Sequence, residues 1–354
     1  MFAQVDTHQS FEMNTKMNDD AKETDFVGSK IDVGAWNKLS KEHLQTLSVA
    51  LNLFLGLSGT TLVPILLIYI FFYTRLWFLV PLYLAWIYYD RKTGFTGGRK
   101  LNWFRRSKMF EYFRDYFPCR LIKTQNLEAD RNYLFVVYPH GMFALSTICC
   151  FCTEANSIES RVFPGLDFRI VTIDAHVCCP ITREYCLSMG CIGSRESSIL
   201  HVLNSKPSKA VVLVPGGGAE MQITEPGSTY RIITSRRKGF VRLALKTGTP
   251  LVPVFSFGEQ NLYSRYQSKW LQKMVKKITG IYDVVPKGRM GILPYRHPVN
   301  TVVGKPIHVP KIENPSTKDI DEYHAKFVQE LTALFEDNKC KYDVNKSNAE
   351  LINL

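Results

Sequence analysis

Two long uncharged segments near the N-terminus constrain this chain more than any other feature. No charged residue occurs from Leu44 to Thr74, and after Arg75 the segment Leu76–Tyr89 is again uncharged. As helices rising about 1.5 Å per residue, the segments would reach roughly 46 and 21 Å, whereas the hydrocarbon core of a bilayer is about 30 Å thick. The first segment is too long for an ordinary buried helix, so the pattern predicts membrane insertion.

Two membrane topologies are compatible with these segments. In one, a full span near Leu47–Phe72 precedes a turn at Arg75 and a short return leg. In the other, a single helix is interrupted around Gly59 or Pro64.

The flanking charges indicate the orientation and favour a hairpin. Seven basic residues and no acidic one lie between Arg91 and Lys108, a composition typical of the cytosolic side. The tail, residues 1–43, mixes lysines with acids and lacks the features of a signal peptide. We expect a cytosolic tail that is disordered up to about Ser29, a membrane hairpin over residues 44–90, and a cytosolic-face domain over residues 91–354.

Cysteine usage agrees with a cytosolic location. Seven of the nine cysteines fall between Cys149 and Cys191, and beside a basic cytosolic flank this crowding indicates reduced thiols. Cys149 and Cys152 have C-x-x-C spacing, with His176 and Cys178 downstream. The second half-site lacks a standard zinc spacing, and the stretch TICCFC is typical of an apolar helix. We therefore expect no metal.

The charge is unevenly distributed. Residues 1–43 hold five lysines and eight acidic residues, so the remainder holds 39 basic and 24 acidic residues, about +15. A basic domain tied to a membrane favours anionic lipid headgroups or a polyphosphate substrate. Charge alone would also permit nucleic acid as a partner, but the sequence contains no recognition motif for it, and we expect none.

From about Ala129 onward, apolar β-branched runs alternate with helical patterns. Such near-continuous apolar strands predict an α/β sheet covered on both faces. The predicted strands are Tyr133–Val137, Phe168–Ile173, Ala210–Val214, Leu251–Phe257 and Thr301–Val303. The predicted helices are Met142–Glu154, Thr182–Met189, Glu196–Asn204 and Lys238–Thr247, and a final helix begins at a capping box of Ser316 and Asp319.

The stretch LFVVYPHGMFALS ends its strand with Tyr138, Pro139, His140 and Gly141. Functional groups gather at the carboxyl ends of strands in an open α/β sheet. Pro139 fixes the turn, and Gly141 leaves room beside the imidazole. His140 is therefore either a general base at the mouth of a cleft or an ordinary histidine in a strand-to-helix turn.

Two further strand ends favour the general base. The strand AVVLV continues into PGGGAE, where the amides of Gly216, Gly217 and Gly218 could stabilise an oxyanion or bind a phosphate. Glu220 follows and could orient His140 and stabilise its charged form. The strand LVPVFSF likewise ends at Gly258-Glu259.

An anionic ligand is suggested by the basic run Arg236, Arg237 and Lys238, which opens a predicted helix. Neither a G-x-S-x-G nucleophile elbow nor a phosphate-binding P-loop motif is present. Direct transfer assisted by a base is therefore favoured over a covalent intermediate.

The motifs YPHG, PGGGAE, RRKGFVRLAL, PLVPVFSFGE and TVVGKPI, in this order behind an apolar N-terminal segment, resemble the diacylglycerol O-acyltransferase 2 family. The resemblance extends from about Val49 to the C-terminal helix. It implies a mixed sheet covered by helices, like that of glycerophosphate acyltransferases, at the endoplasmic reticulum membrane or on lipid droplets. It also implies acyl transfer from acyl-CoA to diacylglycerol, with membrane lipid as a partner and no cofactor, and it is compatible with a homo-oligomer.

The family's usual tetrapeptide is His-Pro-His-Gly, and Tyr138 replaces the first histidine. His140 matches the second, so the resemblance implies that His140 acts on the acceptor hydroxyl. Glycerophosphate acyltransferases use His-x-x-x-x-Asp, but the fifth residue after His140 is Leu145. Glu220, which resembles the glutamate of the family's Gly-Gly-x-x-Glu element, is the candidate replacement for that carboxylate.

Other functions remain open on the sequence alone. The family also contains monoacylglycerol and fatty-alcohol acyltransferases, so these acceptors are alternatives to diacylglycerol. An ester hydrolase would use water as the acceptor, and a non-enzymatic hairpin protein would coat lipid droplets. The missing serine elbow argues against the hydrolase, and the ordered His and Gly strand ends argue against the coat protein.

Overall fold

The computed structural model describes residues 33–60, 62–279 and 284–354, so the predicted disorder of the tail up to Ser29 lies outside the described residues. The helices are α1 (Val33–Leu57), α2 (Leu62–Tyr73), α3 (Leu79–Tyr89), α4 (Asn102–Arg105), α5 (Lys108–Tyr116), α6 (Leu145–Thr147), α7 (Asp174–Cys178), α8 (Thr182–Ser188), α9 (Glu196–Leu203), α10 (Gly217–Ile223), α11 (Gly239–Thr247), α12 (Lys269–Thr279) and α13 (Thr317–Tyr342). The strands are β1 (Cys119–Lys123), β2 (Tyr133–Tyr138), β3 (Asp167–Thr172), β4 (Cys191–Gly193), β5 (Lys209–Leu213), β6 (Thr229–Ile232), β7 (Leu251–Phe257), β8 (Ser264–Arg265), β9 (Pro286–Lys287), β10 (Val299–Val303) and β11 (Glu350–Asn353).

A seven-stranded sheet in the order β1-β10-β7-β2-β5-β3-β4 forms the centre of the fold. The five strands from β7 to β4 run parallel to one another. β10 is antiparallel to β7 and parallel to β1. The sheet is therefore mixed, and the expected α/β class is confirmed.

Both faces of the sheet are covered. In β2, Tyr133, Phe135 and Val137 belong to one apolar cluster, which α5 and the segment after α6 complete. The alternate residues Leu134 and Val136 belong to a second cluster, built with α9, α11 and α13. Because successive side chains of a strand point to opposite faces, a strand that is buried throughout requires a layer on each side.

The five predicted strands are all present, with ends that differ by at most two residues. Two further strands of the seven-stranded sheet were not predicted from the sequence: β1, an edge strand whose burial varies along its length, and β4, which has only three residues. The α-helix predicted over Met142–Glu154 is reduced to α6, Leu145–Thr147, which is followed by a π-helix over Ile148–Cys152. It begins only at Leu145, because the residue before it, Ala144, adopts a left-handed conformation with φ 50°. The capping box of Ser316 and Asp319 is confirmed at the start of α13.

The segment Leu47–Phe72 does not form the single continuous helix that the full-span topology requires. Among the described residues no single helix is long and apolar enough to cross a membrane, although Ser40–Leu57 and Leu62–Tyr73 would suffice as a pair bent by 74°. The break lies at Gly59, as in the interrupted-helix alternative. The amide of Gly59 donates to the Thr182 hydroxyl of α8 at 3.0 Å, and a Cβ at Gly59 would lie 2.3 Å from that oxygen.

The N-terminal part of the apolar segment packs against the domain. The α1 side chains Ser48 and Asn52 are buried, and the Ser48 hydroxyl donates to the Met109 carbonyl of α5 at 2.6 Å. The Tyr185 hydroxyl of α8 donates to the Asn52 side chain. These polar contacts hold one face of α1 on the domain, whereas most apolar side chains of α2 and α3 are exposed.

Candidate functional site

Three strand ends predicted to carry functional groups meet at one edge of the sheet. β7, β2 and β5 are adjacent and parallel, so their carboxyl ends lie side by side. His140 follows β2, the glycine turn of Gly216 follows β5, and Glu259 follows β7. The structure therefore brings together the three motifs that sequence reasoning singled out separately.

Glu220 joins the first two of these segments through backbone contacts. Its Oε2 accepts from the backbone amide of His140 at 2.7 Å, and its Oε1 accepts from the amide of Ile233 at 2.8 Å. The carboxyl carbon would lie 2.0 Å from a Cβ at Gly216, so only glycine fits at that position. One buried carboxylate thus fixes the histidine loop, the glycine turn and the segment after β6.

The imidazole of His140 makes its own contact with the backbone. Its Nδ1 lies 3.1 Å from the carbonyl oxygen of Gly141. A carbonyl oxygen only accepts, so this bond requires the proton on Nδ1 and leaves the lone pair on Nε2. Burial lowers the pKa of His140, an effect that the Gly141 carbonyl partly opposes, so the neutral imidazole is favoured.

The environment of Glu220 also shifts its protonation. Burial raises the pKa of Glu220 to about 7, against the lowering effects of the His140 and Ile233 amides and of the positive charge of Arg237. Glu220 was predicted to orient His140, and its hydrogen bonds indicate which part of that residue it contacts. The carboxylate positions the main chain of residue 140, while the hydrogen bond of the imidazole goes to Gly141.

Glu259 is a second buried carboxylate in the site, to which the sequence analysis assigned no role. Its two oxygens accept from the amides of Leu145 at 2.9 Å and Ser146 at 2.8 Å, at the start of α6. Burial raises the pKa of Glu259 to about 7. A Cβ at Gly141 would lie 2.6 Å from the Glu259 side chain. Glu259 thus supports the segment after His140, and the only signal for it was its place after a strand end.

Tyr138 lies in the core rather than in the cleft. It is fully buried, and its ring centroid is 6.4 Å from that of Phe327 in α13. Its hydroxyl has no hydrogen-bond partner among the described residues. Tyr138 precedes Pro139 through a cis peptide bond. Tyr138, which replaces the family's first histidine, therefore packs against α13.

The basic run divides between two surroundings. Arg236 and Arg237 are exposed and line a cleft of about 450 Å³. Its other lining residues come from α10, the segment after β6 and the end of β11: Ala219, Ile223, Ile233, Ser235 and Leu354. Gly217 and Gly218 open α10, where the first amides of a helix have no partner within it. Lys238 instead forms an ion pair of 2.7 Å with Asp321 of α13.

Cys149 and Cys152, which have C-x-x-C spacing, contact different sets of cysteines. Cys149 contacts Cys119 and Cys150, whereas Cys152 contacts Cys191. In the described ranges no group of three or more His, Cys, Asp or Glu side chains could hold a metal ion.

The amino-acid sequence is similar to those of known diacylglycerol acyltransferases. The family model "Diacylglycerol acyltransferase" matches residues 69–353. The chain is 39% identical over 323 residues to diacylglycerol O-acyltransferase 2 of Xenopus tropicalis, covering 86% of this chain and 88% of the relative. It is 38% identical over 333 residues to diacylglycerol O-acyltransferase 2 of Danio rerio, covering 90% and 91%. Among solved structures, the 1-acyl-sn-glycerophosphate acyltransferase PlsC of Thermotoga maritima aligns with a TM-score of 0.42 at 14% identity, over 85% of this chain and 98% of that one.

Proposed function

Because this chain belongs to the diacylglycerol acyltransferase family and is an acyltransferase, we propose that it transfers a fatty acyl group from acyl-CoA to the free hydroxyl of diacylglycerol, with His140 as general base. The products are triacylglycerol and coenzyme A. The single observation that carries the role of His140 is its hydrogen bond to the Gly141 carbonyl, which leaves Nε2 as a proton acceptor.

In the reaction, Nε2 of His140 removes the proton from the acceptor hydroxyl. The oxygen of that hydroxyl attacks the thioester carbonyl at the same time. The carbonyl oxygen becomes an oxyanion, and amides of the glycine turn Gly216–Gly218 stabilise its charge. The carbon–sulfur bond then breaks, and the leaving thiolate of coenzyme A takes the proton from the imidazolium, which returns His140 to its neutral form. The thioester supplies the driving force, so the proposal requires no cofactor.

Acyl-CoA is held by its phosphates at the exposed guanidinium groups of Arg236 and Arg237. Both line the cleft beside α10, and neither has a side-chain ion pair among the described residues. Guanidinium groups bind phosphate with charge-assisted, bidentate hydrogen bonds. Lys238 contributes less, because its ammonium group is already paired with Asp321.

Diacylglycerol reaches the site laterally from the membrane, to which α2 and α3 attach the enzyme. Their exposed apolar side chains include Ile65, Phe72 and Leu82, each about two-thirds exposed. At about 1.5 Å per residue each helix is less than 20 Å long, so neither crosses alone the ~30 Å core. We propose that α2 and α3 together form the membrane hairpin, in the endoplasmic reticulum membrane or at lipid droplets, with both ends cytosolic. Tags before Leu44 and after Leu354 should both be protease-accessible in intact microsomes, and protection of the first would refute the hairpin.

The test of the function offers labelled acyl-CoA to the purified enzyme with four acceptors in parallel: diacylglycerol, monoacylglycerol, fatty alcohol and retinol. We expect triacylglycerol as the main product, with loss of transfer in His140→Ala. Faster esterification of another acceptor would reassign the substrate, and release of fatty acid without any acceptor would indicate a hydrolase.

A further inference from the structure

Helix α12 has a segregated pattern of charged and apolar residues. On a helix that turns about 100° per residue, the four lysines of residues 269–277 fall on one side and the four apolar residues of the same stretch fall on the other. The lysines are Lys269, Lys273, Lys276 and Lys277, and the apolar residues are Trp270, Leu271, Met274 and Val275.

The apolar side of α12 is not fully covered by the domain. Trp270 is 71% exposed and Met274 is 37% exposed, while Leu271 and Val275 are half-buried. The apolar stripe of a surface helix in a globular protein normally faces the core. A basic helix that presents Trp and Met to the outside instead has the composition of helices that lie in a membrane interface.

A neighbouring turn repeats this combination. The short strands β8 and β9 pair with each other. Their pairing brings the segment before α12 close to the turn Gly288–Leu293. In that turn Met290 is 80% exposed and Ile292 is 72% exposed. The basic side chains of Arg289 and of the preceding Lys287 are exposed as well. From Arg265 to Arg296 the chain carries eight Lys or Arg residues and a single Asp.

We propose that α12 and the turn Gly288–Leu293 form a second membrane-contact surface, which lies in the headgroup region of an anionic phospholipid bilayer. The cationic side accounts for attraction to the anionic headgroups, and Trp270 and Met274 reach the acyl boundary. A soluble polyphosphate would use the lysines but would leave the exposed apolar side chains without a partner. This surface is separate from α2 and α3 and does not depend on the chemistry at His140.

The position of this surface gives it a mechanical consequence. Arg296, three residues after the turn Gly288–Leu293, donates to the Gln45 side chain of α1 at 2.6 Å. Gln45 lies at the middle of α1, whereas helix α2 follows its C-terminal end, twelve residues or about 18 Å further along. Two membrane contacts tied to α1 at points about 18 Å apart restrain the orientation of the domain on the bilayer more than one contact would.

The test measures hydrogen–deuterium exchange of residues 269–277 in the full-length chain. The protein is placed in detergent, in phosphatidylcholine nanodiscs, and in nanodiscs that also contain phosphatidylserine. We expect the slowest exchange with phosphatidylserine. Lys273→Gln/Lys276→Gln/Lys277→Gln should reduce that protection by on the order of fivefold per lysine, and Trp270→Glu/Met274→Glu should abolish it.

A matched control replaces three exposed lysines elsewhere, Lys206, Lys305 and Lys318, by Gln and should leave the exchange unchanged. The proposal is wrong if the unmodified protein exchanges equally in both kinds of nanodisc, a comparison that does not depend on how any variant folds. It is also wrong if the control reduces protection as much as the α12 variants, or if protection survives Trp270→Glu/Met274→Glu. Acyl transfer in detergent micelles should persist in all variants, and its loss in the unmodified protein would contradict the proposed function rather than this surface.

Discussion

The carboxylate of Glu220 accepts a hydrogen bond from the backbone amide of His140 at 2.7 Å, so the residue proposed to act on substrate is positioned through its main chain. The second oxygen of the same carboxylate accepts from Ile233, near the arginines that line the cleft. A single buried group therefore links the position of the imidazole to the surface proposed to bind acyl-CoA.

Replacing the imidazole tests its role directly. We expect His140→Ala to reduce the turnover number by about 10²–10⁴, the usual contribution of a general base, with normal amounts of membrane-bound protein. His201→Ala is the matched control, because His201 is exposed on α9 and should not affect the rate. Near-normal transfer by His140→Ala would remove this residue from the mechanism.

Glu220→Gln should preserve the shape of the side chain but leave one hydrogen-bond acceptor oxygen in place of two. Glutamine has one carbonyl oxygen, so the amide of either His140 or Ile233 would face an NH₂ group. Displacement of the loop by about 1 Å is expected to cost on the order of 10² in turnover. Steady-state rates of the single and double variants check this, because adding His140→Ala should cause little further loss. Normal turnover in Glu220→Gln, or fully additive losses, would leave Glu220 a purely structural acid.

Glu259→Gln should act in the same way on the segment after His140. One of the amides of Leu145 and Ser146 would lose its acceptor, and we expect turnover to fall by on the order of 10² while the KM for acyl-CoA changes little. Glu225→Gln provides the control, since Glu225 is exposed. An increase in KM with unchanged turnover would place Glu259 in substrate binding instead.

The two buried glutamates also predict how stability depends on pH. Each has its pKa raised from 4.5 to about 7 by burial, so the folded state binds more protons than the unfolded state between these values. Their stabilising contribution is fully present below pH 4.5 and is lost as the pH rises through about 7. Unfolding of the detergent-solubilised protein at several pH values should show this decrease, with a smaller slope in Glu259→Gln. A free energy of unfolding that rises from pH 5 to 7 in the unmodified protein but not in Glu259→Gln would contradict the raised pKa.

The cleft arginines should affect substrate binding more than chemistry. We expect Arg236→Ala and Arg237→Ala each to raise the KM for acyl-CoA by about tenfold, the value of a lost charge-assisted hydrogen bond. Lys238→Ala should change KM little, because its exposed ion pair with Asp321 keeps it occupied. Arg237 also lowers the pKa of Glu220, so its removal should shift the acidic limb of the rate profile to higher pH. Equal effects of all three substitutions would mean that the positive charge acts only at long range.

Local sequence patterns were enough to predict five strands of the sheet, the capped helix α13 and the three motif-bearing strand ends. These features depend on local patterns: apolar runs of strand length, a capping box, and Gly or Pro directly after a strand. The order β7-β2-β5 then followed from parallel pairing, which no local pattern specifies.

The contacts that hold the site together and the position at which the apolar segment is divided depend on packing between distant parts of the chain. Glu220 and Glu259 act on amides far away in sequence, so their partners depend on which strand ends become neighbours. The break at Gly59 arises where Thr182 of α8 packs against it, although the segment is uniformly uncharged. A pattern in the sequence reports whether a residue prefers burial, whereas the identity of its buried partner depends on long-range packing that distant segments provide.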